Sequence, residues 1–174
     1  AYQPFAERDS MAWLKAHEHV LVMRTMSKFG LAGVRIGYLM GRSALVRELD
    51  KLRPPFNVSV LNAEAALFAL EHADEYERQA GVIRRERARV MQALVLHDGV
   101  RVFDSQANMV LVRLPQDCEP ARVFAGIKAR GVLIKNVSGL HPLLAGCLRI
   151  TVGTPEENTL LLAAFGAAIQ ESRP

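Results

Sequence analysis

Two short apolar runs, Val20 to Arg24 and Val34 to Met40, flank a loop punctuated by Gly30 and Gly33. Each run has the length of a strand rather than of a helix. The pattern therefore predicts strand, loop, strand, with Val20-Leu21-Val22-Met23 as a buried parallel strand and Val34 to Met40 as the next one. Ser27 and Lys28 stand at the end of the first run, and Arg35 opens the second. An amine, a hydroxyl and a guanidinium are thus placed close together in the chain. Such a set suits a phosphate-bearing aldehyde. The amine can condense with the carbonyl, and the forked guanidinium with the hydroxyl can grip a phosphate. Without these neighbours a Ser-Lys pair is a solvated turn, and Gly30 and Gly33 are turn glycines with positive φ.

The rest of the chain reads as alternating short elements. A helix is expected from Met11 to His17 with Ser10 as its N-cap, and another from Ser43 as cap to about Leu52, stopped by Pro54-Pro55. Residues from Ser59 to about His97 are mainly helical, with a break near His72-Ala73-Asp74. Tyr76, Ala80, Ile83, Val90, Met91 and Leu94 fall on one face of the second helix. Arg78, Arg84, Arg85, Arg87 and Arg89 lie mostly on the other. Glu75, Glu77 and Glu86 are interleaved with them, which predicts a solvated, charge-paired face rather than a nucleic-acid surface. After the Asp98-Gly99 turn, Val100 to Phe103 and Met109 to Leu114 alternate as strands do. Pro120 begins a helix ending at Gly131, a left-handed C′ residue. Val132-Leu133-Ile134 and Cys147 to Thr151 supply further strands. Thr154-Pro155-Glu156-Glu157 is a capping box, and its helix carries Leu161, Ala164, Phe165 and Ala168 on one side. Strands backed by helices make the last part an α+β layer.

Half of the 174 residues are hydrophobic, enough for a sizeable core, and the net charge is +4. That charge attracts a small anionic substrate and is too diffuse for nucleic acid. Cys118 and Cys147 have no metal-ligand spacing and give no disulfide framework, which fits a reducing cytoplasm. No apolar run reaches membrane-spanning length and no leader pattern is visible, so a soluble, cytoplasmic protein is expected, with no membrane partner. His17, His19, His72, His97 and His141 lack metal-ligand spacing, so no metal is expected. No Ser-His-Asp arrangement or Walker loop can be read.

The string Arg24-Thr25-Met26-Ser27-Lys28 through Arg35-Ile36-Gly37-Tyr38 resembles the lysine segment of fold-type-I pyridoxal-phosphate (PLP) aminotransferases. Within them it resembles the histidinol-phosphate aminotransferase family, and Gly146-Cys147-Leu148-Arg149-Ile150-Thr151-Val152-Gly153-Thr154 resembles that family's C-terminal motif. The resemblance covers essentially the whole chain. It implies an α/β fold, the C-terminal part of a fold-type-I transferase. Residues 1–55 would end the large parallel-sheet PLP-binding domain, 56–97 would be linking helices, and 98–174 a small α+β domain.

The same resemblance implies the site. Lys28 would carry the Schiff base and move the proton, Ser27 and Arg35 would hold the cofactor phosphate, and Tyr2 would hydrogen-bond the ring oxygen. In the family a strand ends in Asp-Glu-Ala-Tyr. Ala1 and Tyr2 match its last two positions, so the aspartate that pairs with the pyridine nitrogen is expected two residues before Ala1, and the chain is expected to be a C-terminal half. Arg149 would face the anionic end of the substrate. Lys135 stands where many relatives carry an arginine for the substrate phosphate, keeping the charge without the fork. Asn108 matches a family motif at the start of a strand.

The implied reaction transfers the amino group of L-histidinol phosphate to 2-oxoglutarate in histidine biosynthesis, by a homodimer. The rivals are another aminotransferase, a threonine-phosphate decarboxylase-like enzyme of the same fold, or a non-catalytic fragment whose exposed strands self-associate. Read from the residues alone, Arg149 in an apolar strand needs an anion, either a structural carboxylate or a substrate. Lys135 is then a solvent-exposed lysine, Asn108 a turn former and Tyr2 a packing residue.

Overall fold

The apolar runs on either side of the Lys28 loop form a two-stranded antiparallel ribbon in the computed structural model, which describes residues 1–173. Strand β1 is Val22–Thr25 and β2 is Gly37–Met40, in a register that sets Val22 opposite Met40 and Thr25 opposite Gly37. The parallel pairing expected for Val20 to Met23 is therefore corrected. The connection between the two strands is too short for the crossover a parallel pair needs, and it simply reverses the chain. The burial expectation is corrected with it, because Val22 is buried while Met23 is 72% exposed, as befits a ribbon covered on one face.

The chain divides into two units, Ala1–Ala80 and Gly81–Pro174. In the first, helix α1 is Met11–Ala16 and α2 is Ser43–Asp50. Ser43 is the first helical residue of α2, and Arg42 takes the N-cap position expected of Ser43. Helix α3, Val60–Glu71, starts where the Ser59 hydroxyl accepts the N–H of Asn62, which satisfies one of the free donors of its first turn. The chain breaks at His72 and resumes as α4, Ala73–Leu94, within which the unit boundary falls. Phe5, Val22, Met26, Ala69 and Ala80 are the buried apolar residues described in this unit.

The second unit holds a four-stranded antiparallel sheet in the order β3-β4-β6-β5, with β3 at Arg101–Val102, β4 at Met109–Arg113, β5 at Lys135–Asn136 and β6 at Cys147–Thr151. Helices α5, Pro120–Ala129, and α6, Pro155–Ser172, complete it. Val110 and Val112 of β4 alternate inward with Leu148 and Ile150 of β6, and share one core with Val123, Ile127, Leu161 and Phe165 from the helices. Period-two strands bury one face against the apolar stripe of the helices and leave the other free.

The strand expected at Val132 to Ile134 lies later, at Lys135–Asn136. The N–H of Val132 still bonds back to the Ile127 carbonyl, and Gly131 at φ +80° takes the left-handed step out of α5. The fully solvated charged face expected on α4 is also corrected, because Glu86 and Arg87 are 9% and 5% exposed. Arg87 donates to the Ala107 carbonyl at 3.1 Å. Among the described residues no helix is long and apolar enough to cross a membrane.

Candidate active site

Strand β1 ends at Thr25, whose hydroxyl accepts the N–H of Ser27 at 3.1 Å and turns the chain into a 3-10 turn, Met26–Lys28. Met26 is buried, and its carbonyl accepts the N–H groups of Phe29 (3.0 Å) and Leu31 (3.1 Å) while its own N–H reaches the Ile36 carbonyl at 2.9 Å. One residue therefore closes the base of the loop on both strands. A second 3-10 turn, Ala32–Val34, delivers the chain to Arg35 at φ 56°, ψ 33°. A left-handed conformation is uncommon outside glycine and marks a position that the surroundings over-determine. Gly30 has the expected positive φ (+110°), but Gly33 does not, and Arg35 takes it instead. Arg35 thus belongs to the loop rather than opening β2.

That twist turns the Arg35 guanidinium back over the loop. Its Nη1 donates to the Ala32 carbonyl at 3.3 Å and to Ser27 Oγ at 3.5 Å. Lys28 Nζ lies 5.0 Å from the centre of the Tyr2 ring, within cation–π range. Tyr2, Ser27, Lys28 and Arg35 are accordingly brought together in the first unit.

Asn108, Lys135 and Arg149 belong to the second unit. Arg149 of β6 is directly opposite Lys135 of β5 on one side and Leu111 of β4 on the other. Both cations are exposed on the outer face of the sheet. The alternation that buries Leu148 and Ile150 sends Arg149 outward. Among the described residues neither Lys135 nor Arg149 has an ion-pair partner. Like charges directly opposite one another repel, and an anion between them relieves the repulsion. Asn108 precedes β4, where its carbonyl accepts the N–H of Val152 at 2.9 Å. Its Oδ1 is buried without a hydrogen-bond partner among the described residues. His141 Nδ1 accepts the N–H of Leu143 at 3.1 Å, which gives this histidine a local capping role.

Asn158 is a functional polar group of the second unit with no signal in the local sequence. Asn158 is 1% exposed. Its amide accepts the Gly153 N–H (2.9 Å) and donates to the Gly153 carbonyl (3.0 Å) and to Glu86 Oε2 (2.9 Å). The turn leaving β6 is thereby held as a neighbouring strand would hold it. Arg89 forks onto Glu86 with contacts of 2.7 to 3.1 Å, and these hydrogen bonds hold the Glu86 carboxyl below the ordinary range against the opposing effect of burial. The same contacts raise Arg89. On the exposed part of α4, Arg78 and then Gln79 lower Glu75 to about 2. The capping box at Thr154 announces the turn, but nothing local names Asn158 as its clamp. Its spacing puts Tyr76 on the apolar stripe of α4. Its ring instead stacks on Phe29 of the loop, a contact between residues distant in the chain. Among the described residues there is no group of three side chains able to hold a metal.

The family model for aminotransferase class I and II matches residues 1–165. A histidinol-phosphate aminotransferase from Methylibium petroleiphilum is 67% identical over 165 residues, covering 95% of this chain and 44% of that protein. Among solved structures, histidinol-phosphate aminotransferase from Sinorhizobium meliloti in complex with pyridoxal-5'-phosphate is similar at 29% identity and a TM-score of 0.76, over 98% of this chain and 47% of that one. L-threonine-O-3-phosphate decarboxylase from Porphyromonas gingivalis is similar at 25% identity and a TM-score of 0.81, over 97% of this chain and 53% of that one. The chain therefore spans about half the length of the relatives it matches. Its mixed α/β fold is that of the fold-type-I aminotransferases. With a match that runs from Ala1 through most of α6 and takes in both the lysine loop and the Arg149 strand, the chain belongs to the aminotransferase class I and II family.

Proposed function

We propose that this chain is the C-terminal portion of a PLP-dependent aminotransferase that exchanges the amino group of L-histidinol phosphate with 2-oxoglutarate, giving imidazole-acetol phosphate and L-glutamate. The observation that carries the proposal is the loop in which Arg35, held left-handed, reaches Ser27 at 3.5 Å beside the Lys28 amine. The residues fit the cofactor. Ser27 and Arg35 offer a hydroxyl and a guanidinium to its phosphate. Lys28 offers a primary amine to its aldehyde, and Tyr2 a phenolic O–H to its ring oxygen. When bound, PLP supplies the carbonyl that takes the amine and the ring that accepts an electron pair from the substrate carbon. Lys28, once freed, holds and moves the proton.

Arg149 and Lys135, facing each other without counter-ions among the described residues, bind the phosphate of the amino donor. Asn108 presents its unpartnered Oδ1 to a donor group of the substrate. Sequence identity to the Methylibium petroleiphilum enzyme favours histidinol phosphate as the donor. Likeness to a threonine-phosphate decarboxylase favours, as a second reading, another phosphorylated amine.

We assign residues 1–55 to the end of the PLP-binding domain, 56–97 to linking helices and 98–174 to the small domain. A homodimer is supported by the exposed apolar side chains of α3, among them Leu61 and Phe68. A cytoplasmic setting accords with two free, buried cysteines.

The test is covalent. The chain is incubated with PLP and reduced with borohydride, and the labelled peptide is mapped. Label on Lys28 is expected, and label on Lys15, Lys51, Lys128 or Lys135 in its place overturns the site. The donor is tested in a family-length protein carrying this chain, by comparing amino transfer from histidinol phosphate, phenylalanine and aspartate. A wide preference for aspartate would sink the substrate assignment.

A further inference from the structure

We infer that Tyr76 is a positioning residue for Lys28, fixing the backbone from which the amine reaches. The inference rests on the proposed role of Lys28. Tyr76 lies in the first turn of α4, and its ring stacks on that of Phe29 with centroids 4.7 Å apart and planes 27° from parallel. The next residue, Gly30, has φ +110°, and a Cβ there would stand 2.7 Å from Tyr76 Cε1 and 2.9 Å from Cδ1. The backbone of Gly30 therefore lies against the edge of the same ring, with no space for a side chain. Both residues that follow Lys28 bear on one aromatic surface.

The chain that follows Lys28 is tied back across it to the Met26 carbonyl, which accepts the N–H groups of Phe29 and Leu31. Met26 is 6% exposed. Lys28 is thus clasped between a buried anchor before it and an aromatic plate after it. What remains free is its own four-carbon stem, which ends 5.0 Å from the Tyr2 ring. A purely structural tyrosine on the apolar stripe of α4 would be packed among core residues. Tyr76 is instead half-buried, and its described ring partner is Phe29. An amine that must attack one carbon and later deliver a proton near it depends on where its Cα sits. A displacement of about 1 Å costs on the order of 100-fold in such a step.

The test uses Tyr76→Phe, Tyr76→Leu, Tyr76→Ala and Gly30→Ala in the full chain, with PLP as the probe. Two quantities are read. One is amide hydrogen exchange at Phe29 and Leu31 without PLP, and the other is borohydride-fixed label on Lys28 relative to Lys128 on α5. Tyr76→Phe keeps the plate and is expected to match the wild type in both. Tyr76→Ala and Gly30→Ala should speed exchange at both amides and lower the Lys28 to Lys128 label ratio by about tenfold or more. Tyr76→Leu keeps apolar volume without a flat ring, so it guards against simple loss of folding, and it should lower the ratio as well. A wild-type ratio in Tyr76→Leu or Gly30→Ala overturns the inference. Absence of label on Lys28 in the wild type overturns the proposed function instead, and the exchange measurement then still decides whether Tyr76 holds the loop.

Discussion

Helix α4 carries the same short pattern twice, Glu75-x-x-Arg78 and Glu86-x-x-Arg89, and the two copies behave differently. Arg78 meets Glu75 at 2.6 Å with both side chains largely in water. Arg89 meets Glu86 at 2.7 Å where the carboxylate side chain is only 12% exposed and Asn158 adds a further hydrogen bond. The contrast extends to the apolar residues of the two units. In residues 81–173 the apolar side chains of the sheet and helices close on one another around Phe165 and Leu148, both fully buried. In residues 1–80, Phe56 is 100% exposed, Leu61 81% and Phe68 59%. Both units expose some large apolar side chains, but the second closes a core of its own, whereas Phe5, Val22, Met26, Ala69 and Ala80 are the buried apolar residues described in the first.

The sharpest way to break this comparison is a pair of phenylalanine deletions. Phe165→Ala removes a ring from a closed core and should cost about 3–5 kcal/mol, read from exchange of the Ile150 amide. Phe68→Ala should leave stability within about 0.5 kcal/mol and reduce self-association seen by light scattering. Equal losses at the two sites would erase the distinction. Asn158→Ala comes next. It strands the Gly153 N–H and carbonyl and takes one hydrogen bond from the Glu86 carboxylate, which keeps Arg89, and should cost about 1–3 kcal/mol by chemical denaturation. Thr154→Ala, which removes the side chain that accepts the Glu157 N–H at 3.2 Å, should cost about 1 kcal/mol in the same measurement.

The two carboxylates sharpen the comparison with pH. Glu86 is lowered in the folded state relative to the unfolded value of about 4.3. The unfolded chain therefore takes up the proton first as pH falls. The stabilisation from Glu86 is complete above about pH 4.3 and is lost as pH drops through the folded value. Denaturation midpoints should fall over that acid range, and Glu86→Gln should flatten the fall. Glu75 is lowered further, to about 2, yet it is exposed, so its carbon-13 titration should move upward in salt or in Arg78→Ala without a measurable change in stability.

Features written within a few residues were legible from the start. The capping box at Thr154 forms with both reciprocal hydrogen bonds, β6 spans Cys147–Thr151 as expected, and the helix breaks at His72. Each depends on backbone groups whose partners lie one turn or one residue away. The grouping of Ser27, Lys28 and Arg35 was legible for the same reason, as the loop that joins them is short. Other features depended on partners far along the chain. The antiparallel pairing of β1 with β2, the outward face of Arg149 and its place opposite Lys135 follow from which face the core covers. The left-handed Arg35, the edge of Tyr76 against Gly30 and the burial of Glu86 against Asn158 follow from tertiary contacts as well. Local hydrogen bonding and apolar period decided where the elements begin and end. Only the packing of distant segments decided which side chains face water and which polar groups find each other.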